Sequence, residues 1–147
     1  MNDGIQVSSR FYSFATLATK LTTGSVHDAG VWQTDTVRLV VMRWPPAFLR
    51  DAAHGDRWSP GIAFAPTMEL LRAYRNKQIA WEGFAERYLR RLGQMTSREA
   101  VWNSLLLPAL WYAPTVTLLC AERGDEETVC CHRRLLRSWL LGEEGRA

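Results

Sequence analysis

Four residues that could do chemistry lie in one stretch of the sequence. Cys131, His132 and Arg133 follow one another at the start of a basic amphipathic segment, and Glu122 lies nine residues before Cys131. A cysteine beside a helix N-terminus and near cations has two reasons to form a thiolate, the helix dipole and the neighbouring charges. The pattern therefore predicts Cys131 as a nucleophile, with His132 as a general base and Glu122 either orienting the histidine or acting as an acid.

Each of these residues also fits a purely structural role. Most free cysteines behave as small buried hydrophobes. A histidine in a first helical turn is often a hydrogen-bonding spacer, and a glutamate at a strand end often caps the next helix. Arg133 could bind a substrate anion or form an internal ion pair with Glu122. The sequence leaves both interpretations open.

Two strands are expected to position these groups. Val116 to Ala121 is a continuous apolar run, typical of a parallel strand covered on both faces, and Glu122 follows it directly. Thr36 to Met42 is the second such run and ends at Arg43-Trp44-Pro45-Pro46. Because ligands bind at the carboxyl ends of strands in open α/β sheets, the site is expected at that edge.

Arg10 to Ala15 is predicted as a first strand, which ends near Ser13. Each predicted strand is followed by enough chain for a right-handed crossover. We therefore predict that the strands ending at Ser13, Arg43 and Glu122 are parallel neighbours. On this prediction the candidate substrate-binding residues are Ser13, Arg43, Trp44 and Arg133.

The remaining segments are predicted as three helices and two long loops. The predicted helices run from Pro66 to about Asn76, from Ala80 to Gly93, and from a capping box at Thr96 and Glu99 through Leu107, where Pro108 ends or kinks the helix. Gly24 to Asp35 is predicted as a loop. Trp44 to Ala65 is either a functional lid or a loop that its aromatic rings hold against the core.

These elements predict an α/β fold, a single three-layer domain over residues 1–147 with a small, mostly parallel sheet flanked by helices. The sequence is 47% hydrophobic and 22% charged, as in an ordinary globular protein. It contains no apolar run long enough to span a bilayer, and its first residues do not resemble a signal peptide. A cytoplasmic protein without a membrane partner is expected.

The strand end and helix start together resemble a known family. Leu118, Leu119, Cys120 and Glu122, followed by Cys131-His132-Arg133, are similar to the pattern of the domain of unknown function 488 family, and Leu135, Leu136, Trp139 and Leu140 continue its apolar helix face. Weaker matches are Tyr12-Ser13, Arg43 and Ala65-Pro66-Thr67. The resemblance implies an α/β fold and a shared site, but no reaction. Cys130, directly before the motif, departs from the pattern.

Soft metal ligands occur among the same residues, namely Cys120, Cys130, Cys131 and His132. Their spacing argues against structural zinc, because there is no Cys-x-x-Cys pair and adjacent cysteines seldom both reach one tetrahedral ion. No metal site is therefore predicted and the cofactor is unknown. A haem- or metal-binding protein using Cys131 or His132 is a third interpretation.

The leading functional hypothesis is a small enzyme that acts on an anionic substrate, a nucleotide or a nucleic acid. The alternative is a non-catalytic binding or accessory protein in which the same residues are structural. Arginines at helical spacing, Arg87, Arg90 and Arg91 on one helix and Arg133, Arg134 and Arg137 on the last, suggest at most weak, salt-dependent binding of nucleic acid, since the net charge is only +3. Among the thiols, Cys131 is expected to be the most acidic, Cys130 intermediate and Cys120 inert.

Overall fold

The computed structural model describes residues 3–7, 9–122 and 131–143. Its strands are β1 (Gly4–Val7), β2 (Arg10–Ser13), β3 (Leu21–Ser25), β4 (Val37–Val40), β5 (Ser59–Pro60) and β6 (Val116–Cys120). Its α-helices are α1 (Phe14–Ala18), α2 (Ala29–Gln33), α3 (Met68–Arg75), α4 (Trp81–Met95), α5 (Arg98–Val101), α6 (Leu107–Ala109) and α7 (His132–Leu140). Short 3₁₀ segments cover Ala47–Arg50 and Ile62–Phe64, and a π-helical segment covers Trp102–Leu106.

The central sheet has four parallel strands in the order β3-β6-β4-β5. Val40 on β4 pairs in register with Leu119 on β6, and the N–H of Val41 donates to the carbonyl of Leu119. The predicted parallel pairing of these two strands is thus confirmed. Arg43 and Glu122 consequently follow the carboxyl ends of neighbouring strands at the same sheet edge.

The prediction for the first strand is wrong in its partner. β2 pairs antiparallel with β1 in a separate two-stranded sheet, and Ser13 caps the N-terminus of α1 by accepting from the N–H of Thr16. The chain then enters the central sheet at the amino end of β3. Ser13 is therefore not at the carboxyl edge. The prediction failed because a local run of strand-forming residues does not specify which strand it pairs with.

The edge strand β3 replaces part of a predicted loop. Residues 24 and 25 belong to this strand, and the following α2 is capped by Asp28, whose carboxylate accepts from the N–H of Gly30. A Cβ atom on Gly24 would lie 2.9 Å from the Val31 side chain and 3.4 Å from that of Leu119. The glycine that suggested a turn is explained by this close packing of α2 on the sheet.

Helices and loop cover the two faces of the sheet, which gives the three layers that were predicted. On one face the largest fully buried residues include Leu21, Tyr88, Trp102, Leu118 and Leu136, and they connect the sheet to α4, the π-helical segment and α7. On the other face Val26, Trp32, Val40, Leu49 and Leu119 form a smaller cluster with α2 and the loop after β4. None of the described helices is long and apolar enough to cross a membrane.

The long loop after β4 is held against the core. Leu49 is fully buried, and the indole N–H of Trp58 donates to its carbonyl over 2.7 Å. At the far end of the loop, the Tyr88 hydroxyl donates to the carbonyl of Phe64 over 2.6 Å. Of the two interpretations of Trp44 to Ala65, these contacts favour the loop held by its rings.

The predicted helices are present with shifted starts. Thr67, rather than Pro66, precedes α3 as its capping residue, and α4 continues two residues beyond Gly93. Ser97, not Thr96, caps α5 by accepting from the N–H of Ala100. The helix that was predicted through Leu107 is interrupted by the π-helical segment just before Pro108, whose ring cannot join a regular helical hydrogen-bond ladder.

The pairing of β1 with β2 depends on a glycine. A Cβ atom on Gly4 would lie 2.7 Å from the Cα of Ser13 and closer still to the carbonyl oxygen of Tyr12, whereas one on Gly93 in α4 would meet nothing within 4 Å. We expect Gly4→Ala to lower the melting temperature by several degrees and Gly93→Ala to raise it slightly, since helical glycine costs about 0.5–1 kcal/mol relative to alanine. Thermal unfolding followed by circular dichroism measures both, and an unchanged Gly4→Ala melting temperature would contradict this packing.

Candidate functional site

A single carboxylate oxygen connects two thiols at the carboxyl end of β6. Cys120 is the last residue of the strand and has no exposed surface, and its Sγ lies 2.8 Å from Oε2 of Glu122. Cys131, directly before α7, places its Sγ 3.3 Å from the same oxygen. The strand and the helix thus bring together two cysteines that are eleven positions apart in the sequence.

The imidazole of His132 is fixed by the backbone of the neighbouring strand. Nε2 contacts the carbonyl oxygen of Val41, and because a carbonyl can only accept, Nε2 carries the proton. Nδ1 then presents a lone pair to the Sγ of Cys131, 3.9 Å away. Burial lowers the pKa of His132, and this outweighs the opposite effects of the Val41 carbonyl and the Glu122 carboxylate, so the ring is neutral at pH 7.

Arg133 lies completely inside the protein. Its side chain has 0% exposure, and one terminal nitrogen donates to the backbone carbonyl of Glu122 over 2.8 Å and to the Sγ of Cys120 over 3.0 Å. The contact with Glu122 is therefore to a main-chain oxygen, not the ion pair that was considered. The sequence predicted Arg133 as a substrate-binding residue, whereas its contacts in the structure position the two cysteines at the end of β6.

The predicted acidity of Cys131 is contradicted by its surroundings. A hydrogen bond with Cys120, burial, and the negative charge of Glu122 raise the pKa of the Cys131 thiol, and the backbone N–H of Arg133 offsets only part of this. The sequence argument considered the helix N-terminus and the cations but not the carboxylate on the strand. Cys131 is a protonated thiol at neutral pH, and Cys130 lies outside the described residues.

The cluster at the end of β6 consists of Cys120, Glu122, Cys131, His132 and Arg133. Glu122 is its member that reaches solvent. Partial burial raises its pKa, but hydrogen bonds from Cys120, its own backbone N–H and Cys131 outweigh that effect, and the net shift is downward. The residue is nevertheless exposed. An ionised carboxylate thus lies between the solvent and the two buried thiols.

The residues predicted to bind substrate divide into two groups. Arg43 is half-buried at the same edge as Glu122, and its Nε donates to the carbonyl of Pro66 over 3.1 Å, a contact that does not use its two terminal nitrogens. Trp44 beside it is 54% exposed. Ser13 does not lie at this edge. It precedes α1, which leads to the opposite, amino end of the sheet. At that end Arg137, near the end of α7, donates to the carbonyls of Ala18 and Leu21.

Three neighbours of the cluster were not recognised from the sequence as site residues. Cys120 was expected to be inert core. Ser25 pairs in register with Cys120, and its hydroxyl donates to the carbonyl of Ala121 over 3.2 Å. Tyr88 on α4 packs edge-on against the imidazole of His132, 5.7 Å between ring centroids, and burial raises its pKa well above the ordinary value. Only the spatial meeting of β3, α4 and α7 reveals them.

The arginines of α7 do not form the basic surface that was considered. Arg133 is buried, and Arg137 donates to backbone carbonyls of α1 and β3. On α4, Arg87, Arg90 and Arg91 are exposed, and Arg90 lies 3.6 Å from Glu86. Of the two arginine groups considered, the one on α4 is therefore exposed, whereas two of the three arginines on α7 contact the protein interior.

A surface depression of ≈ 560 Å³ lies between α3 and α4, away from the cluster. It is lined by Tyr74, Arg75, Lys77, Gln78, Ile79 and Ala80. None of the candidate site residues lines this depression, so it provides no substrate space for the thiols.

Comparison with known families identifies the class of protein. The family model described as DUF488-N3a, the active DUF488-N3 subclade, matches residues 21–144. The chain therefore belongs to the DUF488 family, as the residues around Cys131 suggested. The match contains every member of the cluster and excludes β1, β2 and Ser13. No curated protein and no solved structure matches the chain.

The buried guanidinium provides a direct test of how the cluster is held. Lysine keeps the charge of Arg133 but lacks the planar group that reaches both Cys120 and Glu122, so Arg133→Lys leaves buried partners unsatisfied at a cost of about 1–3 kcal/mol. We expect a melting temperature lower by several degrees, measured by circular dichroism.

The matched control is Arg91→Lys, at an exposed position of α4. Exposed substitutions of this kind usually change stability by less than about 0.5 kcal/mol. Equal melting temperatures for the two variants would show that the contacts of Arg133 do not hold the strand and helix together.

Proposed function

We propose that the protein is an enzyme that acts on a small anionic substrate, a nucleotide or a nucleic-acid-like molecule, at the carboxyl edge of the sheet. The observation that carries this proposal is the exposed carboxylate of Glu122, whose Oε2 lies 2.8 Å and 3.3 Å from two buried thiols. A carboxylate within hydrogen-bond reach of a thiol can accept its proton as the sulfur attacks. The matched subclade is described as active, which agrees with this proposal.

The proposed chemistry begins from a thiol, not a thiolate. The Cys131 proton passes to Glu122 or to Nδ1 of His132 while the sulfur forms a bond to the electrophilic atom of the substrate. The leaving group takes that proton when its own bond breaks. Water then displaces the sulfur and gives a proton back to it through the same base, so that atoms and charges balance over the turnover. Activation by a neighbouring base replaces the lowered pKa that was inferred from the sequence.

Arg43 and Trp44 are the proposed substrate contacts. A half-buried guanidinium whose two terminal nitrogens donate to no other described residue suits a phosphate or carboxylate, which it can bind in bidentate fashion. An exposed indole beside it offers a surface for a nucleobase to stack on, and such stacking contributes about 1–3 kcal/mol per base. These two neighbours favour a substrate that combines an anion with a planar ring.

A non-catalytic role is the second candidate, and the burial of Arg133 and His132 favours it. Arg133 joins β6 to α7, and His132 joins α7 to β4 through the carbonyl of Val41. On this interpretation the cluster exists to hold the last helix on the sheet. The variants below separate the two functions, because binding and turnover depend on the proposed site groups only if the protein is an enzyme.

Binding is tested first with nucleoside mono- and diphosphates and a short single-stranded oligonucleotide, by isothermal titration calorimetry. We expect Arg43→Gln to weaken binding about tenfold or more, since losing a charge-assisted hydrogen bond costs roughly 1.5–3 kcal/mol. Arg50→Gln is the control, at an exposed position with no assigned role. Turnover of the bound compound is then followed by mass spectrometry with Cys131→Ser and Glu122→Gln.

The enzyme proposal expects that both site variants bind like the unmodified chain but give no product. Absence of binding for every probe, or turnover that survives both substitutions, would contradict it. A melting temperature lowered by several degrees in Glu122→Gln, with no turnover in the unmodified chain, would instead support the structural role.

A further inference from the structure

The thiol cluster has the composition of a metal centre as well as that of a nucleophile site. Sγ of Cys120, Sγ of Cys131 and a ring nitrogen of His132 all lie within 4.8 Å of one another. Oε2 of Glu122 is 2.8 Å and 3.3 Å from the two sulfurs. We propose a binding site for a soft divalent cation of the zinc class, formed by Cys120, Cys131 and His132.

The distances are close to those of a tetrahedral site. Zinc–sulfur bonds of about 2.3 Å and zinc–nitrogen or zinc–oxygen bonds of about 2.0 Å place pairs of ligand atoms roughly 3.3–3.8 Å apart. The structure has 3.9 Å between Nδ1 of His132 and Sγ of Cys131, and the three ligand atoms all lie within 4.8 Å of one another. Binding would therefore draw the ligand atoms together by roughly 1 Å or less for most pairs.

The histidine is already oriented as a ligand. In metal sites the imidazole nitrogen that does not bind the ion usually donates to a backbone carbonyl or a carboxylate, which fixes the tautomer. Nε2 of His132 makes this contact with Val41, so that Nδ1 is left as the donor atom on the side of the thiols. Zinc prefers this set of thiolate and imidazole donors.

The charges balance when the ion is present. Two thiolates and one carboxylate carry three negative charges, and a divalent cation with the guanidinium of Arg133 supplies three positive ones. Arg133 donates to Sγ of Cys120 over 3.0 Å, as a donor behind a ligand would. Binding releases the two thiol protons, since cysteine binds metal as the thiolate.

This inference goes beyond the proposed function. A bound cation occupies both thiols, so it and the attack by Cys131 exclude each other, and bound Zn²⁺ would inhibit the proposed reaction. The spacing argument made from the sequence compared neighbouring cysteines, and it could not show that Cys120 and Cys131 approach from different elements. The test below uses no substrate, so its failure and that of the proposed function are distinguishable.

Cobalt reports the ligands directly. The full chain, stripped with a chelator under reducing conditions, is titrated with Co²⁺. We expect one equivalent to produce a thiolate-to-cobalt charge-transfer band in the near ultraviolet and visible bands of tetrahedral cobalt, with both bands lost when Zn²⁺ displaces the probe. Cys120→Ser should reduce the charge-transfer intensity and weaken Zn²⁺ binding, measured against a competing chelator, at least tenfold.

Control variants are chosen so that every result decides the assignment. His54→Gln changes a histidine outside the cluster and should leave both bands unchanged. Cys130→Ser should do the same, and loss of the bands in that variant would overturn the assigned ligands. If Cys120→Ser does not fold, Cys131→Ser serves instead, with weaker binding expected. Absence of a charge-transfer band in the unmodified chain, or a band that Cys120→Ser does not alter, would overturn the proposal.

Discussion

The cluster depends on the contact between the buried guanidinium of Arg133 and the carboxyl end of β6. Arg133 has no exposed surface, and it donates both to the backbone carbonyl of Glu122 and to the sulfur of Cys120. Taking a charge out of water is costly unless the protein supplies partners for it. These contacts therefore fix how α7 sits on β6, and with it the distance between the two thiols.

The sheet supplies the second constraint. β4 and β6 run in parallel register, so the carbonyl of Val41 lies where the imidazole of His132 can reach it from the first turn of α7. The strand thereby decides which ring nitrogen faces the thiols. A fold-level feature, strand order, thus determines the protonation pattern of one side chain.

The sequence predicted the parts of the fold whose local pattern is unambiguous. The apolar runs of β4 and β6 and the helical spacing of α4 identified those elements, and Glu122, Cys131, His132 and Arg133 lie together at the end of β6. β3 was missed because Gly24 suggests a turn, although that glycine gives α2 and Leu119 room to pack. β2 was assigned to the wrong sheet because pairing partners are not encoded locally.

The chemistry of the cluster was less predictable than its location. Neighbouring cations and a helix N-terminus suggested an acidic Cys131, but the Glu122 carboxylate and the second thiol, which lie across the strand–helix junction, raise its pKa. Cys120 was taken for inert core for a similar reason, since the apolar run gives no indication of what lies beyond its end. The pKa of the Cys131 thiol is thus set by charges that folding brings close, not by charges that are close in the sequence.

The tautomer of His132 tests this account most directly. Long-range ¹H–¹⁵N correlation spectra of the metal-free, reduced chain, labelled with ¹⁵N-histidine and assigned with His132→Gln, distinguish a protonated ring nitrogen from a bare one. The account predicts a neutral ring at pH 7 with the proton on Nε2 and Nδ1 unprotonated. A proton on Nδ1, a mixture of the two tautomers, or an imidazolium at this pH would contradict it, because Nδ1 could then neither accept from Cys131 nor bind a cation.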